Sequence, residues 1–318
     1  MTPGARQRRI GSIAASISLA ASLCACGSTP TSTSTSTTST KPPVTSTTAP
    51  LGSGAHLLDV DGTLREFRLH VPTSAGPGSA LVLVFHGFTD SAANIEAYSH
   101  MNEVADEHGF VVAYPQGSRD AAGNTFFDVG YAFHTERLDD IGFARALQAH
   151  LVDRLALDAR RVFVTGMSNG GDMAYHLACS GEPWVAAIAP VAGMILQHIA
   201  DACVPAQRLS IMEIHGTADT VTLWEGDPQN EGGWGAYLSQ MEAMQRWADG
   251  YALDAPTQEP LPALAGASPT GEVTMLRWTT AVDGTEVRLV RIEGGAHEWP
   301  GIEASRVVWD FFAGLDQT

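Results

Sequence analysis

The sequence predicts an α/β fold with a mainly parallel sheet covered by helices on both faces. Three observations carry this. Short, largely apolar runs recur along the chain, among them the continuous Ala80–Phe85 and the strand-like Leu209–Ile214, as expected of strands buried on both faces. Segments with helical character separate them, so strand and helix alternate. Beyond residue 50 the chain is long enough for one sizeable core, and 44% of all residues are hydrophobic.

The elements follow in order. Leu57 to Val71 reads as an opening hairpin with Asp61-Gly62 at its turn. Ala80-Leu81-Val82-Leu83-Val84-Phe85 is a buried strand, and Asn94 to His108 is a helix ending at Gly109. Phe110 to Tyr114 is a strand, and Asp139 or Asp140 caps a helix running to about Leu155. Strand Arg161–Thr165, helix Asp172–Ala178, and strands Val185–Pro190 and Leu209–Ile214 come next. Trp234 to Ala248 is amphipathic and helical. Asp254 to Gly271 is a Pro-rich loop, with a place over the cleft left open. Val287–Ile292 alternates like a strand.

Between the strand Arg161–Thr165 and the helix Asp172–Ala178 stands Gly166-Met167-Ser168-Asn169-Gly170. G-x-S-x-G at a strand-to-helix turn is the nucleophile elbow of the α/β-hydrolases. So tight a turn strains the backbone at Ser168, and side chains two positions before or after it would strike neighbouring elements. A serine hydroxyl needs a base, and the base an orienting carboxylate. In this fold the chain order is Ser, acid, His. Asp219 leaves the end of the strand Leu209–Ile214 and His297 leaves the end of Val287–Ile292, where catalytic groups gather in open α/β sheets. Asp219 is therefore the expected orienter and His297 the base. His215 precedes the acid and reads as a strand-end packing residue. His176 lies in the helix after Ser168 and points away from it. Asp227 and Asp249 read as solvated. The expected oxyanion donors are the backbone N–H groups of Asn169 and of Phe88, the latter in the turn His86-Gly87-Phe88. No histidine spacing suits a metal, so no metal or other cofactor is expected.

The ordered series Phe85-His86-Gly87-Phe88, Val112-Ala113-Tyr114-Pro115-Gln116-Gly117, Asp139-Asp140-Ile141-Gly142-Phe143, Gly166-Met167-Ser168-Asn169-Gly170-Gly171, Ala189-Pro190-Val191-Ala192-Gly193, Ile214-His215-Gly216-Thr217-Ala218-Asp219 and Gly295-Ala296-His297-Glu298-Trp299-Pro300-Gly301 resembles the polyhydroxybutyrate depolymerase and feruloyl or acetylxylan esterase group of α/β-hydrolases (carbohydrate esterase family 1). The resemblance spans roughly residues 60 to 314. It implies Ser168, Asp219 and His297 as the triad, and Trp299 as part of the substrate cleft. The chain departs from the group at Glu298, where a threonine is common, and in the aromatic stretch Phe126 to Phe133. Glu298 either faces His297, raising its basicity, or points to solvent.

Residues 1–25 read as an export signal, with Arg6, Arg8 and Arg9 before a short apolar run. Leu23-Cys24-Ala25-Cys26 looks like a lipoprotein cleavage site, making Cys26 the lipidated first residue of a membrane-anchored chain. Residues 26–50 are Ser-, Thr- and Pro-rich and read as a flexible tether, leaving residues 51–318 as the esterase domain. Cys179 and Cys203 form an even pair, which in an exported protein favours a disulfide. The net charge of −17 argues against a nucleic-acid partner and suits neutral or polymeric esters. Trp224 and Trp234 belong either at the cleft or in the core. Two other functions remain open: a serine peptidase of the same fold, and a non-catalytic surface-binding module. Oligomeric state is not legible.

Overall fold

A computed structural model describes residues 51–135, 137–203 and 207–315. The signal, the tether and Cys26 lie outside the described residues. The described part belongs to one compact unit, Ala49–Thr318.

The chain begins with β1 (Gly54–Val60) and β2 (Thr63–His70). Asp61 and Gly62 both have positive φ, 50° and 86°, the geometry of a tight hairpin turn. β3 (Leu81–Phe85) is followed by α1 (Ala92–Ser99), α2 (Met101–His108) and β4 (Val111–Pro115). A single helix was expected over 94–108. It breaks because His100 adopts a left-handed conformation at φ 56°. A two-stranded ribbon, β5 (Ser118–Arg119) and β6 (Thr125–Phe126), precedes α3 (Asp140–Leu155). The Asp139 side chain caps α3 by accepting from Gly142 N. Then come β7 (Val162–Met167), α4 (Asn169–Cys179), β8 (Ala187–Val191), α5 (Gln197–Ala202), β9 (Ser210–Gly216) and α6 (Gln240–Gly250). The chain continues through β10 (Thr257–Pro260), a 3₁₀ turn at Pro262–Ala267, β11 (Val273–Thr279), β12 (Glu286–Ile292) and α7 (Gly301–Gly314).

Among the described residues, ten strands form one sheet in the order β1-β2-β4-β3-β7-β8-β9-β12-β11-β10. The run from β4 to β12 is parallel throughout. Antiparallel strands extend it at both edges. β3, β4, β8 and β9 are buried at every position, and side chains alternate between two cores. Leu81, Leu83 and Phe85 pack with α3, α4 and α6, whereas Val82 and Val84 pack with α1, α2 and α7. Burying a large apolar side chain contributes about 1.5–3 kcal/mol, so these two layers dominate the stability of the central strands.

The stretch Asp254–Gly271 is not a lid over the cleft. Thr257–Pro260 pairs with β11 as the outermost strand of the sheet, and Leu264 is buried in the core with Val273 and Met275.

A disulfide joins Cys179, the last residue of α4, to Cys203, which caps α5. It closes a loop with a sequence separation of 24. Constraining such a loop in the unfolded chain stabilises the fold by roughly 3–4 kcal/mol.

Candidate active site

The parallel strands end together, so the turns after β3, β7, β9 and β12 gather at one edge of the sheet. Ser168 follows β7 directly and has φ 54° and ψ −123°, a strained conformation for a residue with a side chain. Its N–H is held by Val191 O at 2.9 Å. The two elbow glycines are there for space. A Cβ on Gly166 would lie 2.5 Å from Gly170 O, and one on Gly170 would lie 2.1 Å from Phe85 O. The elbow therefore fuses β3, β7 and α4 at backbone contact distance.

Asp219 is buried at 4% exposure and is held from several sides. It accepts from Val221 N at 2.8 Å, Thr222 N at 3.0 Å and Thr222 Oγ1 at 2.9 Å. His297 Nδ1 lies 2.7 Å from its Oδ2. Burial alone would raise the Asp219 pKa. The hydrogen bond and charge of His297, the Val221 N–H and the charge of His215 outweigh it and hold the group below the ordinary carboxylate value. The loops bearing the two residues are tied by Ala218 N to Gly295 O and Thr217 N to Ile292 O, both 2.9 Å. The structure thus brings Asp219 to His297. It does not bring Asp227, which instead binds the Glu231 and Gly232 N–H groups of its own loop, or Asp249, exposed on α6. His176 sits in α4, within the lining of a cavity with Cys179 and His198.

Asn169 opens α4, so its backbone N–H belongs to the first turn that a helix leaves without an internal partner. Its side chain pins Phe127 through Phe127 N to Oδ1 at 2.8 Å and Nδ2 to Phe127 O at 3.0 Å. At the turn after β3, a Cβ on Gly87 would lie 3.5 Å from Ser168 Cβ, which sets Phe88 beside the elbow. The next two amides of that turn are committed, Thr89 N to Thr125 O and Asp90 N to Gly87 O.

Several contributors were not read from sequence. Buried His86 accepts from Gly117 N at 2.9 Å through Nε2, so its Nδ1 carries the proton and donates to Gly87 O at 2.7 Å. That bond turns the Gly87 carbonyl away and fixes the peptide carrying Phe88 N–H. Burial lowers the His86 pKa and keeps it neutral. A histidine between an apolar strand and a glycine was the available signal. Thr222 links Asp219, His297 Nδ1 at 3.2 Å and Ala192 O at 3.0 Å; nothing in the local sequence marked it. His215, read as packing, is buried, but its ring is bonded to Glu213 and Thr222.

Trp299 corrects the expected cleft. Its ring is 2% exposed, its Nε1 donates to Ser305 Oγ at 3.1 Å, and its N–H donates to Tyr98 OH at 3.1 Å. A ring packed among α7 residues cannot present a face to substrate. An aromatic surface gathers instead around Phe88. Phe88 meets Phe133 at 5.9 Å, Trp234 at 5.6 Å and Tyr131 at 6.3 Å between ring centroids, and Phe133 is 47% exposed. A groove of about 420 Å³ runs along Phe88, Phe126, Phe133 and His134. Trp224 and Trp234 are half-buried against the core. Among the described residues no cluster of His, Cys, Asp and Glu suits a metal ion.

Known proteins give the arrangement a context. Residues 66–229 match the family described as Esterase PHB depolymerase. The chain is 29% identical over 261 residues to "Putative esterase NocK" of Nocardia uniformis subsp. tsuyamanensis, covering 76% of this chain and 72% of that one. It is 24% identical over 250 residues to a bifunctional acetylxylan esterase/xylanase of Neocallimastix patriciarum, covering 79% of this chain and only 33% of that one. The acetyl xylan esterase structure from Aspergillus awamori superposes with a TM-score of 0.60 at 17% identity, covering 81% of this chain and 99% of that one, a likeness of fold. With its parallel sheet, strand-end elbow and family match over residues 66–229, this chain belongs to the Esterase PHB depolymerase family of α/β-hydrolases.

Proposed function

We propose that the chain hydrolyses carboxylic esters through a covalent acyl-enzyme on Ser168. Ser168 Oγ attacks the ester carbonyl while His297 Nε2 takes its proton. Asp219 holds the proton on His297 Nδ1 and stabilises the imidazolium. The N–H groups of Asn169 and Phe88 receive the oxyanion, with the positive end of α4 behind them. His297 then protonates the leaving alcohol, and water attacks the acyl-enzyme by the same route. The observation that carries this reading is the 2.7 Å His297–Asp219 contact at the sheet edge where Ser168 stands at φ 54°. The acyl group is ferulate, acetate or a short hydroxyalkanoate, and the Phe88–Phe133–Trp234 surface gives it an apolar wall.

Residues 1–25 direct export, Cys26 carries a lipid anchor, and residues 26–50 tether the esterase domain of 51–318 to the membrane. Labelling by a fatty-acid analogue in the parent and its loss in Cys26→Ser would test the anchor.

For the chemistry, the protein and Ser168→Ala are compared on p-nitrophenyl acetate, butyrate and octanoate, methyl ferulate, acetylated xylan and polyhydroxybutyrate. Hydrolysis that disappears in the variant supports the acyl-enzyme, and the preferred ester names the substrate. Hydrolysis unaffected by Ser168→Ala, with both proteins folded, refutes it.

A further inference from the structure

A second histidine–carboxylate pair lies directly beneath Asp219. His215 Nε2 is 2.8 Å from Thr222 O and 3.4 Å from Asp219 Oδ2. Its Nδ1 is 2.9 Å from Glu213 Oε1. Both side chains are fully buried. A carbonyl oxygen only accepts, so Nε2 carries a proton. The Nδ1–Oε1 contact needs a second proton, on one atom or the other. Glu213 already accepts from Tyr175 OH at 2.9 Å and from Gly193 N at 3.1 Å. Burial raises the Glu213 pKa on balance, but both donors and the adjacent ring favour its ionised form, and the more basic imidazole takes the second proton. Sequence reading gave His215 only a packing role, and packing would not require two ring protons.

We propose that Glu213 and His215 are positioning residues that keep an imidazolium against Asp219, holding that carboxylate ionised and fixed toward His297. This rests on the acyl-enzyme reading above. The charged and titratable groups around the ring fit it. From β9 and its following loop come Glu213 and Asp219. From α4 come Tyr175 and Asp172. From the later loops, His297 lies across Asp219 and Tyr237 lies within electrostatic reach of Asp219 and Asp172. On neighbouring β12, Arg291 pairs with Glu293 at 2.6 Å. Two carboxylates thus contact the imidazole directly, one on each ring nitrogen. Burial alone would lower the His215 pKa, but the bond and charge of Glu213 and the charge of Asp219 raise it.

The pair acts through charge and placement and contacts no reacting atom. A positive charge behind Asp219 keeps that carboxylate in its charged, accepting form against His297, and its removal moves the acid limb of the pH–rate profile to higher pH.

The test has two arms. Nitrogen-15 histidine NMR of the intact protein at about pH 8, with His215 assigned by backbone-to-ring correlations in the parent protein, reads the ring directly. Both ring nitrogens protonated is the expected result, and a single neutral tautomer overturns the proposal. The second arm follows kcat/KM against pH in Glu213→Gln and His215→Gln. Each should shift the acid limb upward and lower kcat about tenfold, with KM within about twofold. An unmoved limb in a variant that melts like the parent overturns the proposal. Should the variants fail to fold, the NMR arm decides on the parent alone. Should Ser168→Ala leave hydrolysis intact, the acyl-enzyme reading fails, while the NMR result still reports the state of the pair.

Discussion

Gly170→Ala is a test of whether the elbow is built by backbone contact. The added methyl carbon would lie 2.1 Å from Phe85 O, 2.5 Å from Phe85 C and 2.8 Å from His86 O. Ordinary carbon contacts begin near 3.4 Å or beyond, so β3 and α4 must separate by about 1 Å. No side-chain rotation relieves the clash, because the three nearest atoms are all backbone. Overpacking of this kind costs about 1–3 kcal/mol. The gain in helix propensity, about 1 kcal/mol, offsets part of it. A net loss of about 1 kcal/mol lowers Tm by roughly 2–4 °C in a domain of this size. The catalytic loss should be larger. Phe85 and His86 lead to Phe88, and Gly170 follows Asn169, so the shift spreads the two N–H groups proposed as oxyanion donors. A displacement of about 1 Å costs on the order of a hundredfold in kcat, with KM little changed. The assay pairs thermal melting with steady-state hydrolysis of p-nitrophenyl acetate. Gly250→Ala is the control, since a Cβ there meets nothing within 4 Å, and its Tm should stay within about 2 °C. A Gly170→Ala protein with parental Tm and kcat would refute the packing argument.

Other expectations follow from the same geometry. Asp219→Asn should lower kcat by about 10⁴-fold by losing the His297 Nδ1–H tautomer, read from steady-state hydrolysis of p-nitrophenyl acetate. Replacing Cys179 and Cys203 by serine together should lower Tm by about 10 °C, and a reductant should mimic the change in the parent. Asp172, buried beside Tyr131 OH and Met194 N, has its pKa raised to about 8 by burial. The folded state then keeps a proton that the unfolded chain releases. Stability should fall as pH rises from the ordinary carboxylate value toward about 8, and Asp172→Asn should flatten that slope in urea melts. Phe133→Ala should raise KM for methyl ferulate several-fold more than for p-nitrophenyl acetate, because an aromatic acyl group loses its wall.

The central strands were legible because full burial leaves a signature: Leu81–Phe85 is an unbroken apolar run, and Leu209–Ile214 is apolar except at Ser210 and Glu213. The edge strands were less so. Thr257–Pro260 is exposed at every position, which erases any alternation, and Val273–Thr279 alternates only partly. Helix α6 begins at Gln240 rather than Trp234. The signal was present in Ser239-Gln240-Met241-Glu242, a reciprocal capping box, while Trp234 packs onto Phe88 from a loop. At the site, order along the chain was enough to propose Ser168, Asp219 and His297, of which the structure sets His297 against Asp219. Partners that act through folded distance, such as Thr222 on Asp219 or Glu213 on His215, leave no spacing to read. Trp299 was misjudged because adjacency to His297 in sequence does not fix which way a ring points; α7 claims it.

The connectivity of the sheet also governs how the site comes into being. Asp219 and His297 are 78 residues apart in sequence, and the central strands join only through long crossovers. Pairings of such high contact order form slowly, because loop closure must precede any stabilising contact. The Cys179–Cys203 bridge spans only 24 positions and can close well before those strands zip together. Its early closure would hold α4 and α5 as one local unit while the rest of the chain searches. Ester turnover during refolding should therefore lag behind oxidation of the cysteines, and its onset would mark completion of the whole sheet rather than of any segment within it.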